Sequence, residues 1–482
     1  MKHKDALLRA QASVDRAASA VMENNRYRLD YHVMSPAFWI NDPNGFVYYK
    51  GQYHLFYQHH PYSVEWGPMH WGHVVSDDLV NWRHLPIALA PSEPYDCGGI
   101  YSGSAVAEGD TLYLFYTGIT DQGGQVQCVA RSQDGIRFEK YADNPIVQPP
   151  NEETHDFRDP KVWRKDQTWY MVIGSKADGK GNVQLYKADE PLSWTYVGKM
   201  AESDGALGEM WECPDLAHVG DQDLLFLSPM NIRGINNLNI IIQGKMDYTA
   251  GSFTLGPWRD MDYGHDFYAS QSMENDQGRR VMIAWMDMWC APMPSQKEGW
   301  AGAMTLPRDV LISENGSVLT PPVPELEKLR GEHIAEQQLV ISPDQPNGLN
   351  GLQGDALEIK IIYDLKKSSA TQFGIAVRCS VDHSQATLVS FDVPSSTILV
   401  DRSRSGEPVG EDRPCKVDIQ EGKLILHLFV DRSSLEVFVN AGEQVITNRI
   451  YPDPASLYVE LFSSEGTAYI EQIDAWQLNA IW

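Results

Sequence analysis

Between residues 30 and 320 the chain repeats one pattern five times, and that repetition limits its fold more than any other feature. A strand–turn–strand reading falls at 47–57, turning at Lys50-Gly51. Matching strands behind Gly- or Asp-containing turns follow at 111–116, 168–173, 224–227 and 281–285. Each unit opens on a short lead-in segment: Asn41-Asp42-Pro43, Tyr101-Ser102-Gly103, Arg158-Asp159-Pro160, Glu212-Cys213-Pro214-Asp215 and Tyr268-Ala269-Ser270. Asp42, Ser102, Asp159, Glu212 and Ala269 follow one another at 60, 57, 53 and 57 residues. Several units also reach an aromatic after a polar turn, at Trp82, Phe138 and Trp194. A near-constant period with room for about four strands per unit is the signature of a β-propeller. The first strand of each blade lines the central channel, so all five lead-in segments should meet around one axial pocket.

The flanks read differently. Leu7, Ala10, Val14, Ala17 and Val21 fall at helical spacing, so residues 4–24 form an amphipathic helix. Pro321-Pro322-Val323-Pro324 ends the repeats, and 325–330 reads as a short helical connector. From Ala356 the chain is again short strands, at 357–361, 374–377, 424–430 and 435–439, which suits a two-sheet sandwich. The expected fold is therefore all-β: an N-terminal helix over 1–25, a five-bladed β-propeller over 26–322, a linker over 323–345 and a β-sandwich over 346–482. The second domain carries few candidate catalytic clusters and reads as a packing or substrate-trimming module.

Composition excludes some roles. With 39 basic and 65 acidic residues the net charge is −26, and a nucleic-acid or anionic-membrane partner would need a basic face. No apolar segment is long enough to span a bilayer, and charges precede the short apolar run at 17–22, so no secretory signal is read. Six Cys at wide spacings without a C-x-x-C pair fit free thiols in a reducing compartment, and the cytoplasm is the expected location. Twelve of the 14 Trp lie between Trp39 and Trp300, which places the binding surface in the propeller.

Three lead-in segments supply an acid: Asp42, Asp159 and Glu212. Cleaving a glycosidic bond with retention requires two carboxyl groups about 5–5.5 Å apart, one attacking and one shuttling a proton. Neighbours divide the roles. Asn41 and Asn44 can hold Asp42 ionised, and the Arg158 guanidinium should keep Asp159 charged. Glu212, between Trp211 and Cys213-Pro214, is expected in a less polar setting that favours a proton donor.

These residues carry a family resemblance. Residues 39–45, Trp-Ile-Asn-Asp-Pro-Asn-Gly, together with Arg158-Asp159-Pro160 and Trp211-Glu212-Cys213-Pro214-Asp215, resemble the signature motifs of glycoside hydrolase family 32. The likeness continues through Phe56-Tyr57-Gln58, Glu65-Trp66-Gly67, His70-Trp71-Gly72-His73, Gly299-Trp300-Ala301-Gly302 and residues 429–434. It implies a five-bladed propeller with a β-sandwich, matching the fold read from the repeats. It also implies Asp42 as nucleophile, Glu212 as acid/base and Asp159 as transition-state stabiliser on the fructose hydroxyls. Asn41, Gln58, Trp66, Ser102 and Arg158 are implied contacts of the terminal fructosyl unit, with Tyr101 standing where many members have Phe. The N-terminal helix lies outside the common pattern.

Trp66, Trp285 and Trp300 are candidates for an apolar wall against a sugar ring, whereas Trp71 reads as blade packing. Six His between His54 and His84 lack metal-ligand spacing, no P-loop is present, and the chemistry needs neither metal nor cofactor. Cys213 reads as a packing residue beside the acid. The expected function is release of β-D-fructose from sucrose, sucrose-6-phosphate or short fructooligosaccharides. A fructan exo-hydrolase or a fructosyltransferase could use the same machinery. A non-catalytic sugar-binding propeller would not need all three acids, and an inverting enzyme would space them about 6.5–9.5 Å apart. The expected partner is a small sugar, and the helix or a sandwich edge offers surface for a homo-oligomer.

Overall fold

The computed structural model describes residues 2–24, 26–150, 156–344, 347–407 and 413–482. Each predicted hairpin forms the inner half of an antiparallel sheet. Blade one runs Phe38–Tyr49, Gln52–His60, His70–Ser76 and Trp82–Leu89 from the axis outward. Blade two runs Gly99–Glu108, Thr111–Ile119, Gln125–Ser132 and Glu139–Lys140; blade three runs Phe157–Lys165, Thr168–Ala177, Lys180–Ala188 and Thr195–Glu202. Blade four runs Met210–Val219, Gln222–Ile232, Ile240–Asp247 and Ser252–Asp260, with Ile235–Asn237 folded back as an extra short strand. Blade five holds Tyr268–Glu274, Arg280–Trp285 and Arg308–Asp309. The five innermost strands touch in sequence around the axis, and the fifth closes on the first. Trp300–Ala301 strengthens that closure by pairing in parallel with Phe38–Tyr49.

Propeller strands are covered on both faces, so each gap between blades fills with its own apolar cluster. Phe56, Trp71, Ile100, Leu112 and Leu114 fill the gap between blades one and two. Val172, Leu185, Trp211 and Leu225 fill that between three and four. Burying such a side chain contributes about 1.5–3 kcal/mol. The aromatics noted in the repeats fall at the outer strands, where Trp82 Nε1 donates to Leu79 C=O at 3.0 Å and Trp194 Nε1 to Pro191 C=O at 3.0 Å.

The helix is His3–Glu23. Ala6, Ala10, Val14 and Val21 are buried, and the helix packs along Trp82–Leu89, the outer strand of blade one. Gln11 Oε1 accepts from Ile87 N–H and His3 Nε2 from Ala90 N–H, so the helix caps backbone donors of an edge strand that would otherwise stay open.

The second domain packs two six-stranded sheets face to face. One sheet corrects an expectation. The stretch 323–345 is not a linker: after a 3-10 turn at Pro324–Leu329, Arg330–Ile341 is an edge strand paired with Ala468–Leu478. Most of its side chains are exposed, so polar residues such as Glu332, His333 and Gln337 hid its strand character. Buried charge joins the two domains. His32 bridges Asp431 (2.8 Å) and Glu436 (3.1 Å), Arg308 bridges Asp262 (2.9 Å) and Glu436 (2.7 Å), and Arg449 meets Asp287 at 3.1 Å. Among the described residues no helix is long and apolar enough to cross a membrane.

Candidate active site

All five lead-in segments sit on innermost strands, and each contains a β-bulge that opposes two residues to one. The extra residues fall between Ile40 and Pro43, Tyr101 and Gly103, Arg158 and Lys161, Glu212 and Asp215, and Tyr268 and Gln271. A bulge re-aims side chains and breaks the ladder locally. Asp159 (φ 65°), Cys213 (φ 47°) and Ala269 (φ 54°) adopt left-handed backbone there. The bulges lie towards the N-terminal ends of the innermost strands. A cavity of about 800 Å³ opens at the opposite end, lined by Tyr48, Glu108, Lys165, His218 and Asn275, and contains none of the three acids.

Asp42 is partly open to the channel. Its Oδ2 accepts from the Ser102 hydroxyl at 2.5 Å and its Oδ1 from Asn41 Nδ2 at 3.0 Å. Burial raises its pKa above the usual carboxylate value, and these two donors oppose the rise. Both donors are themselves held: Trp39 Nε1 donates to Asn41 Oδ1 at 2.7 Å, and Gln58 accepts from Ser102 N–H while donating to Ile100 C=O. Asn41, Gln58 and Ser102 are buried, so their hydrogen bonds serve the carboxylate. Asn44 takes a backbone role, accepting from Gly103 N–H at 3.0 Å.

Asp159 accepts from Cys213 N–H at 2.9 Å. Burial pushes its pKa up to about 7, against the opposing pull of the Arg158 charge. The Arg158 charge acts on Asp159 in the expected direction, but burial outweighs it. The ion pairs of the guanidinium go to Glu212 (2.9 Å) and Asp156 (2.6 Å).

The surroundings of Glu212 also differ from expectation. Strand alternation sends Trp211 into the core between blades three and four, leaving Glu212 among polar groups. Its Oε1 accepts from Arg158 Nε and Nη2, and its Oε2 from the Tyr268 hydroxyl at 2.5 Å. Cys213 joins the acids: its Sγ lies 3.8 Å from Asp42 Oδ2 and 3.6 Å from Asp159 Oδ2. Burial, followed by the nearby carboxylates, raises this thiol well above its ordinary value, so it stays protonated and acts as a packed donor.

Around the rim, Trp66 is exposed, with its ring edge-on to Tyr101 at 6.1 Å between centroids. Trp285 and Trp300 do not form a sugar-facing wall. They are 0% and 1% exposed and stand behind it, Trp285 against Trp39 and Trp300 beneath the Arg28 and Arg449 guanidiniums. The partly exposed aromatic here is Trp289, stacked on Trp39 at 5.9 Å and edge-on to Trp285 at 5.0 Å. Sequence reasoning missed Trp289 and the part played by Tyr268. Tyr268 shares the register of the other lead-in residues, and Trp289 follows the end of a strand, where a side chain escapes coverage. No group of three or more His, Cys, Asp or Glu among the described residues is arranged to hold a metal ion.

Comparison with known proteins agrees with this architecture. The family model described as the glycosyl hydrolases family 32 N-terminal domain matches residues 32–322, and the family 32 C-terminal model matches 325–477. A sucrose-6-phosphate hydrolase of Escherichia coli is 41% identical, the match covering 94% of this chain and 96% of that protein. A raffinose invertase of Escherichia coli is 39% identical across 99% of this chain and 100% of its own length. Among solved structures, a family 32 β-fructofuranosidase of Bombyx mori superposes with a TM-score of 0.88 at 34% identity, covering 100% of this chain and 99% of that one.

Proposed function

The chain belongs to glycoside hydrolase family 32 and is a fructofuranosidase-type glycosidase; from that premise we propose that it releases β-D-fructose from sucrose or sucrose-6-phosphate by double displacement. The observation that carries this reading is the meeting of three carboxyl groups around Cys213. Asp42 attacks the anomeric carbon while Glu212 passes its proton to the glycosidic oxygen. The bond to the leaving sugar breaks and an ester to Asp42 forms. Glu212 then takes a proton from water, whose oxygen attacks the same carbon, breaking the ester and freeing fructose. Asp159 holds fructose hydroxyls as charge builds on the ring, and Arg158, Trp66 and Tyr101 bound the fructosyl pocket. Ser102 and Asn41 support the mechanism by favouring the ionised Asp42 that attack requires.

The test is fructose release from sucrose, sucrose-6-phosphate, raffinose and inulin by the wild type and Asp42→Ala. The reading expects cleavage of the disaccharides and a loss of at least about 10⁴-fold in the variant, as for other essential nucleophiles. Unchanged turnover in Asp42→Ala would remove the nucleophile from this position.

A further inference from the structure

If Glu212 is the proton donor, the leaving sugar lies on its side of the bond, and the structure assigns a pocket there. A cavity of about 180 Å³ is lined by Asn237, His265, Met288, Trp289 and Arg413, among others. Two short paths tie it to the acids. Asn237 hydrogen-bonds the Tyr268 side chain, and the Tyr268 hydroxyl donates to Glu212. Trp289 stacks on Trp39, whose indole donates to Asn41, the neighbour and donor of Asp42.

The far wall comes from the other domain. Arg413 precedes the sandwich strand Cys415–Lys416 and reaches back to the propeller. Its Nη2 donates to the carbonyls of Asp262 (2.8 Å) and Gly264 (2.5 Å), neutral acceptors that fix the guanidinium in place. Its Nη1 stands 4.0 Å from Asp260 Oδ2, beyond hydrogen-bond reach, and Asp260 already pairs with Arg233 at 2.5 Å. Nη1 therefore keeps its hydrogen-bond donors for a ligand at the cavity wall, with Asp260 only a distant ion-pair partner. His265 lines the same cavity, with Nδ1 3.4 Å from Asp266 and no partner for Nε2 among the described residues. The planar donors of the guanidinium match the oxygens of a phosphoryl group.

We propose that this cavity is the leaving-group subsite, and that Arg413 reaches across from the sandwich to bind a phosphoryl group on the leaving hexose while Trp289 supports its ring. The proposal rests on the reading of Glu212 given above. It makes Arg413 a specificity-determining residue and gives the sandwich a part in substrate choice.

The test compares kcat/KM for sucrose-6-phosphate and sucrose in the wild type, Arg413→Met and Arg413→Lys. Met keeps an apolar stem and removes the charge. The phosphorylated sugar should be preferred by the wild type. In Arg413→Met that preference should shrink by about 10- to 100-fold, the scale of a charge-assisted hydrogen bond. Arg413→Lys should restore part of it, since a point charge remains without the bidentate fork. A ratio within twofold of wild type in Arg413→Met overturns the assignment, whether both activities fall together or neither does. A wild type that releases fructose from neither disaccharide instead overturns the parent reading, and the subsite with it.

Discussion

The Tyr268 hydroxyl donates to Glu212 Oε2 at 2.5 Å, on the oxygen that Arg158 leaves free. Both carboxylate oxygens are thus held before any sugar arrives, which fixes the group in place. Tyr268→Phe should lower kcat on sucrose by about tenfold through lost positioning. Glu212→Gln should lower kcat/KM on sucrose by 10³-fold or more, yet lower kcat/KM far less on a β-fructoside with a nitrophenolate leaving group, which departs without a proton. Equal losses of Glu212→Gln on both substrates would refute the acid role.

Ser102 donates its one hydroxyl proton to Asp42, favouring the ionised carboxylate against burial. Ser102→Ala removes that donor. The acid limb of the kcat/KM profile, where Asp42 must be ionised, should move to higher pH. The plateau should fall about 10- to 100-fold, on the scale of a hydrogen bond to a charged group. A profile with an unmoved acid limb would separate Ser102 from the ionisation of Asp42.

Asp159 makes folding depend on pH. Its folded pKa, pushed up to about 7, exceeds the roughly 3.9 of an unfolded aspartate, so the group disfavours folding increasingly as pH rises between those values. Asp159→Asn keeps an acceptor for Cys213 N–H and removes the charge. It should melt at the wild-type temperature near pH 4 and roughly 2 °C or more above it at pH 8, while losing activity. Equal melting temperatures at pH 8 would contradict the sign.

The sequence showed where the acids meet but not how each is held. An even spacing of lead-in segments is enough to bring Asp42, Asp159 and Glu212 to one axis, because the propeller closes on itself. The environment of Glu212 is not legible in its chain neighbours, because Trp211 turns into the core and the groups that hold the carboxylate come from other blades. Trp285 and Trp300 were misplaced because blade strands are buried on both faces, so alternation does not mark a channel side. Arg330–Ile341 was missed because an exposed edge strand carries the composition of a loop. Arg413 was not foreseen, since its position depends on how two domains dock.

Arg308 tests that docking. Its guanidinium meets Asp262, Glu436 and Thr447, all buried. Arg308→Met leaves Asp262 without its cation and Glu436 with His32 alone, and should destabilise the protein by about 3–5 kcal/mol, read as a lowered denaturation midpoint. Loss under 1 kcal/mol would mean the network relaxes without it.

The charged lattice between propeller and sandwich also governs how such a chain can diversify. An exchanged sandwich would have to present its own carboxylates to His32 and Arg308 and a cation to Asp287, in the same register. A donor domain with the right shape and the wrong charges would strand several ions in a dry seam. The two halves are therefore expected to be inherited as a matched pair, and new specificities to arise through substitutions at the shared seam more readily than through swapped modules.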